Sequence, residues 1–158
     1  MSTTLDSARQ SNIDLLHRYA HAVHKRDWPL LASLFTPDAI FSAKQTFGFG
    51  GREEPAFTVK GPDKIVEATA QPITSLSETH VLISNHLVDL AADNASADVS
   101  CYFRAYHAGK GECTHLFEES LGRFELTTVR VGSAWKIQRL DEIVMIMLGT
   151  TDVFAAET

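Results

Sequence analysis

The spacing of apolar residues changes at about residue 79: before it they recur every three or four positions, after it every two. Residues 8–26 read as an amphipathic helix. Ile13, Leu16, Tyr19, Ala20 and Val23 fall in one arc at about 100° per residue, with Asp14, Arg18 and Lys25 opposite. "DWPLLASLF" (27–35) predicts a second, short helix, with Asp27 as N-cap and Pro29 in the first turn, where its missing N–H costs nothing. "TPDA" (36–39) reads as a turn, "IFSAKQTF" (40–47) as the start of a strand, and the glycine-rich "GFGGREEP" (48–55) as a loop or hairpin tip. A third helix is expected over 61–76, opened by Gly61-Pro62-Asp63 and ended near Pro72.

Four β-rich segments follow, 80–90, 95–108, 115–131 and 134–148, separated by "AADN", "GKGE" and "GS". Three helices and then four long strands predict an α+β fold, with helices on one face of an antiparallel sheet, in one domain spanning 1–158. In strand 95–108, Ala95, Ala97, Val99, Cys101, Phe103, Ala105 and His107 share a face. That face is the buried one, because the other carries Asp98 and Arg104. His107 therefore ends an inward row whose small alanines leave space. "SETHVLISNHLVDL" (77–90) has two mixed faces. A regular strand puts His80 and His86, six positions apart, on the same side; a bulge between them switches the facing.

Charge and motifs narrow the function. A net charge of -6 with 14 Lys and Arg argues against a nucleic-acid surface and gives no attraction to anionic lipid. No apolar run approaches the roughly 18–20 residues of a membrane span, and the start lacks a signal-peptide pattern, so a cytoplasmic setting is the default. Cys101 and Cys113 form no framework. The glycine-rich loop lacks a phosphate-binding pattern, and no Ser-His-Asp order, HExxH or dinucleotide fingerprint is present; no cofactor is expected. His17, His21 and His24 form one stripe on the first helix, but no Asp, Glu or Cys joins them, so no metal is expected.

The phrases "LLHRYAHAVHKRDWPLLASLFTPDAIF", Gly61-Pro62-Asp63-Lys64-Ile65, "THVLISNHLVDL" and "GRFELTTVRVGSAWKIQRL" resemble the SnoaL-like branch of the nuclear-transport-factor-two superfamily, over about residues 10–145. Within it the chain is similar to scytalone dehydratase and related bacterial lyases and dehydratases. The resemblance implies a cone-shaped α+β barrel: a curved antiparallel sheet wrapped by three helices around a deep apolar pocket. Thr79-His80 matches a pocket histidine of that group, "RAYH" puts His107 at a second, and Tyr19 and His24 match a Tyr–Asp pair on helix one. Members commonly carry Asp where this chain has His24, so a fixed negative charge is missing.

The resulting expectation has His80, His107, His24 and Tyr19 as catalytic groups, with Asn85, Phe103, Val23 and Phe41 contacting the substrate. His80 faces inward and His86 is structural. Imidazoles titrate near neutrality and can both take and give a proton. Such a pocket suits a cofactor-independent lyase acting on a small aromatic or polycyclic hydroxy compound, by dehydration or retro-aldol cleavage. The same groups would serve an isomerase or cyclase, and a non-catalytic ligand-binding domain is the other alternative. Leu87, Tyr102, Val129 and "IVMIML" (143–148) leave an apolar outer face, suited to a homodimer or homotrimer. Of Asp141 and Glu142, one must face inward or toward a subunit contact; neither receives a role.

Overall fold

Chain order is α1 (Ser2–Lys25), α2 (Trp28–Ser33), β1 (Phe35–Thr46), β2 (Glu53–Lys60), α3 (Pro62–Ile73), β3 (Leu76–Leu90), β4 (Ser96–Gly109), β5 (Phe117–Val131) and β6 (Ala134–Gly149). The computed structural model describes residues 2–46 and 53–155; the loop read at 48–55 lies outside them as far as residue 52. The strands form one sheet in the order β2-β1-β6-β5-β4-β3.

The sheet is mixed rather than wholly antiparallel, since β1 runs parallel to β6. The cause lies at the end of α2, where the Ile137 N–H donates to the Leu34 carbonyl at 2.8 Å and starts β1 alongside β6. β2 and β3 are its two ends, so the sheet is not closed into a barrel. β2 was hidden by its neighbouring glycines and by Pro55, a residue tolerated on an edge strand. "TPDA" does not interrupt β1. Phe35 pairs with Ile137 and Ile40 with Arg139, so residues 36–39 bulge out opposite a single residue.

Capping follows the expected chemistry. The Asp27 carboxylate accepts from the Leu30 N–H at 3.0 Å. α3 starts after Gly61, whose φ of +86° is open to glycine at little cost.

The inward face of α1 presents Leu15, Leu16, Tyr19, Ala22 and Val23 to the sheet. It meets the expected β4 row of Ala97, Val99, Cys101, Phe103 and Ala105, all buried. Buried Asn12 accepts from the Thr128 hydroxyl at 2.6 Å and fixes α1 over β5. At its other end α1 is tied to β3: the Arg26 guanidinium donates to the Leu76 carbonyl at 2.8 Å, and His24 Nδ1–H to the Thr79 carbonyl at 2.9 Å.

β3 does contain a bulge. Its pairing with β4 skips between Ser84 and Leu87, and Asn85 takes a φ of +56°. Thr79, Val81 and Ile83 face inward before it; His86, Val88 and Leu90 do so after it. His80 and His86 are therefore on opposite faces. On the outer side Leu82, Leu87, Tyr102, Ile146 and Leu148 stand exposed. No helix among the described residues is long and apolar enough to cross a membrane.

Candidate active site

Pleat and pairing build the site. Inward residues of β4 and β5 face each other as the pairs Phe103–Gly122, Ala105–Ser120 and His107–Glu118, and Thr79 of β3 pairs with His107. On β6, Glu142 pairs with Phe124 and Met147 with Ser120; the five-residue step between them is reconciled by a bulge at Met145. These side chains, with Tyr19 and Val23 of α1, line a cavity of about 340 Å³. Phe41, Phe57, Phe103, Phe124 and Phe154 contribute aromatic rings to its apolar wall. Phe57, Ala68, Pro72 and Phe154 also border a wider outer groove, so they frame the cavity mouth.

Polar groups concentrate on one wall. His107 Nδ1 lies 2.6 Å from Glu118 Oε2, with Glu118 almost fully buried. The other carboxylate oxygen of Glu118 accepts from the Ser120 hydroxyl. With Glu118 ionised, Nδ1 carries the imidazole proton and Nε2 holds a free lone pair. The Phe154 ring meets the imidazole edge-on at a centroid distance of 5.2 Å.

Glu142 is the contrasting carboxyl. It has no hydrogen bond to another described residue. By surface area it is half-buried, yet protein encloses it, because the surface it keeps is cavity wall. Burial, aided by the Glu118 charge and opposed by His107, pushes its pKa up to about 7. Tyr19, buried and near Glu142, has its pKa raised first by desolvation and then by that carboxyl, so it stays a neutral phenol. The Thr79 hydroxyl is buried without a partner.

The Glu142 shift has a stability consequence. A carboxyl raised from 4.5 to about 7 on folding retains a proton that the unfolded chain has released. Stability is therefore full below about 4.5 and declines as pH rises through about 7, by on the order of 3 kcal/mol. Glu142→Gln removes the decline. Urea midpoints of variant and parent should diverge between pH 5 and pH 8 in the variant's favour; parallel profiles would exclude a buried, unpartnered carboxyl.

Five expected residues meet in the cavity: His107, Tyr19, Val23, Phe41 and Phe103. Three do not. His80 was expected to face inward, but it shares the exposed outer face with its cross-strand partner Tyr106, because its neighbour Thr79 takes the inward position. His24 was expected in the pocket; it is exposed, held by the Thr79 carbonyl, with its ring 5.9 Å from that of His80 in a surface groove. Asn85 is exposed at the bulge and shapes the strand. His86 packs at the α1–β3 seam, 5.1 Å from the ring of His17. Burial, and then His17, lower its pKa. Among the described residues no group of three or more His, Cys, Asp or Glu is arranged to hold a metal ion.

The convergence of imidazoles gives way to one imidazole and two carboxyl groups. Glu118 and Ser120 had a signal in the sequence: stepping back by two from apolar Leu126 and Phe124 on β5 reaches both. Glu142 had only half of one, since no pattern in β6 distinguished it from Asp141. Asp141 instead turns to the other face, paired with Lys44 at 2.9 Å and Arg139 at 3.0 Å.

A family model described as the SnoaL-like domain matches residues 7–141. A protein from Novosphingobium aromaticivorans, provisionally named an aromatic ring hydroxylase, is 24% identical, with 94% of this chain and 97% of that one covered and a TM-score of 0.73. A provisionally named scytalone dehydratase from the same species is 20% identical over 95% of this chain and 92% of its own, with a TM-score of 0.76. The hexachlorocyclohexane dehydrochlorinase LinA-type3 from Novosphingobium barchaimii is 14% identical over 95% and 94%, at 0.77. At these identities the likeness is one of fold. No curated protein matches the chain significantly.

Proposed function

The chain belongs to the SnoaL-like domain family, and from that premise we propose that it is a cofactor-independent lyase in which the His107–Glu118 pair removes a proton from a small aromatic or polycyclic hydroxy compound. The observation that carries this reading is the 2.6 Å contact between His107 Nδ1 and a buried carboxylate inside an apolar cavity. Glu118 fixes the tautomer, stabilises the imidazolium that forms, and leaves Nε2 as the base. Tyr19 and the unpartnered Thr79 hydroxyl are available to hold a carbonyl or hydroxyl oxygen of the substrate. The phenylalanine wall accommodates rings and displaces water, which strengthens each electrostatic contact. The names of two structural neighbours, a dehydratase and a dehydrochlorinase, both denote eliminations.

Isomerisation draws on the same groups without loss of a fragment. The two are separated with the β-hydroxy ketone formed from benzaldehyde and acetone. Dehydration yields the conjugated enone, retro-aldol cleavage returns benzaldehyde, and an isomerase yields neither. Nitrobenzisoxazole, which opens once a base removes its ring proton, reports the base alone. Incubation with both probes should give enone or benzaldehyde from the first and nitrophenolate from the second. If neither reaction outpaces that in an equal concentration of free imidazole, the lyase reading falls.

A further inference from the structure

We propose that Glu142 is the acid of this site, protonating the departing oxygen, so that the cavity expels water rather than a halide or another anion. The inference rests on the reading that His107 is the base. It starts from the unequal surroundings of two carboxyls in one cavity. Glu118 has an imidazole on one oxygen and a hydroxyl on the other, so its charge is compensated. Glu142 has no hydrogen bond within the described residues, and its carboxyl lines a largely apolar cavity with no hydrogen-bonded partner to compensate a charge. A buried carboxyl in that position keeps its proton. A carboxyl that keeps its proton, sharing a cavity with an imidazole that has a free ring nitrogen, supplies the acid to that base.

The leaving group follows from the same wall. A halide departs as an anion and is helped by a cation beside it. Among the described residues no Lys or Arg lines the cavity, and the side chain at the relevant wall is a carboxyl. Hydroxide is too poor a leaving group to depart unprotonated, and a neutral carboxyl meets that need. In the balanced step, His107 Nε2 takes the C–H proton and that electron pair becomes the C=C bond. The C–O bond breaks with its pair on oxygen, which takes the Glu142 proton and leaves as water. The imidazolium then returns its proton to the Glu142 carboxylate through solvent, restoring both groups.

The test sets Glu142→Gln against both probes. Glutamine matches glutamate in shape and removes a buried ionisable group, so the variant should fold. Enone formation should drop about 100-fold or more. Opening of nitrobenzisoxazole, whose oxygen leaves as a stabilised nitrophenolate, should stay within about threefold of the parent, because it needs the base and no proton donor. Equal losses on both probes, or none on the hydroxy ketone, would overturn the assignment. Failure of the underlying reading looks different: a His107 variant would then retain both reactions. Infrared spectroscopy reads Glu142 without turnover. A protonated-carboxyl band that titrates at about pH 7 and vanishes in Glu142→Gln supports the proposal; its absence below that pH sinks it.

Discussion

Replacing His107 with alanine is expected to lower turnover of the β-hydroxy ketone by about 10²- to 10⁴-fold, the range of a positioned acid or base. His80→Ala should leave it unchanged, because His80 lies on the outer face of the sheet. The alanine variant carries a second cost. Glu118 is almost wholly buried, and without its imidazole it retains only the Ser120 hydroxyl. Leaving a buried carboxylate short of a hydrogen-bond donor costs about 1–3 kcal/mol, or more for a charged group. His107→Gln separates the two effects, since its amide can donate to Glu118 while offering no base. It should reproduce most of the rate loss with a smaller fall in the unfolding midpoint. A glutamine variant that turns over at the parent rate would show that the imidazole takes no proton.

Gly122→Ala is expected to damage the fold severely, costing about 3 kcal/mol or more. A Cβ there would lie 2.1 Å from the Ile143 carbonyl oxygen and 2.8 Å from two carbons of the Phe103 ring. The Ile143 oxygen belongs to the β5–β6 ladder, which already shifts register at this point. Phe103 is no easier to move, being stacked on Phe124 at 4.4 Å, and both rings are cavity wall. Relief therefore comes by opening the ladder or by pushing Phe103 into the cavity. Chemical denaturation should show a lower midpoint for the variant, and binding of the enone should weaken with it. A midpoint equal to the parent's would mean that the two strands yield there at no cost.

How far the sequence foretold this depends on whether a segment kept its regular period. β4 alternates without a break, so its inward row and the place of His107 were legible residue by residue. α1 repeats at helical spacing, and Tyr19 and Val23 followed. β3 and β6 each contain a bulge, and a bulge reverses every facing beyond it. The bulge alone does not explain His80, which precedes it; there two mixed faces offered no hydrophobic contrast to decide between Thr79 and His80. Resemblance then chose the histidine, and packing chose the threonine. The acidic half of the site was obscured for a related reason. Glutamates in strands ordinarily read as solvent-facing, and only pairing across three strands shows that Glu118 and Glu142 enclose the same space as His107.

The central claim is that His107, held by Glu118, is the imidazole that meets the guest. Nitrogen-15 NMR of the histidine side chains, recorded while the enone is added, tests it most directly. The His107 resonances should move, with Nδ1 protonated and hydrogen-bonded and Nε2 unprotonated in the free protein, while those of His80 and His24 stay fixed. Movement of His80 and His24 with His107 unperturbed would contradict it.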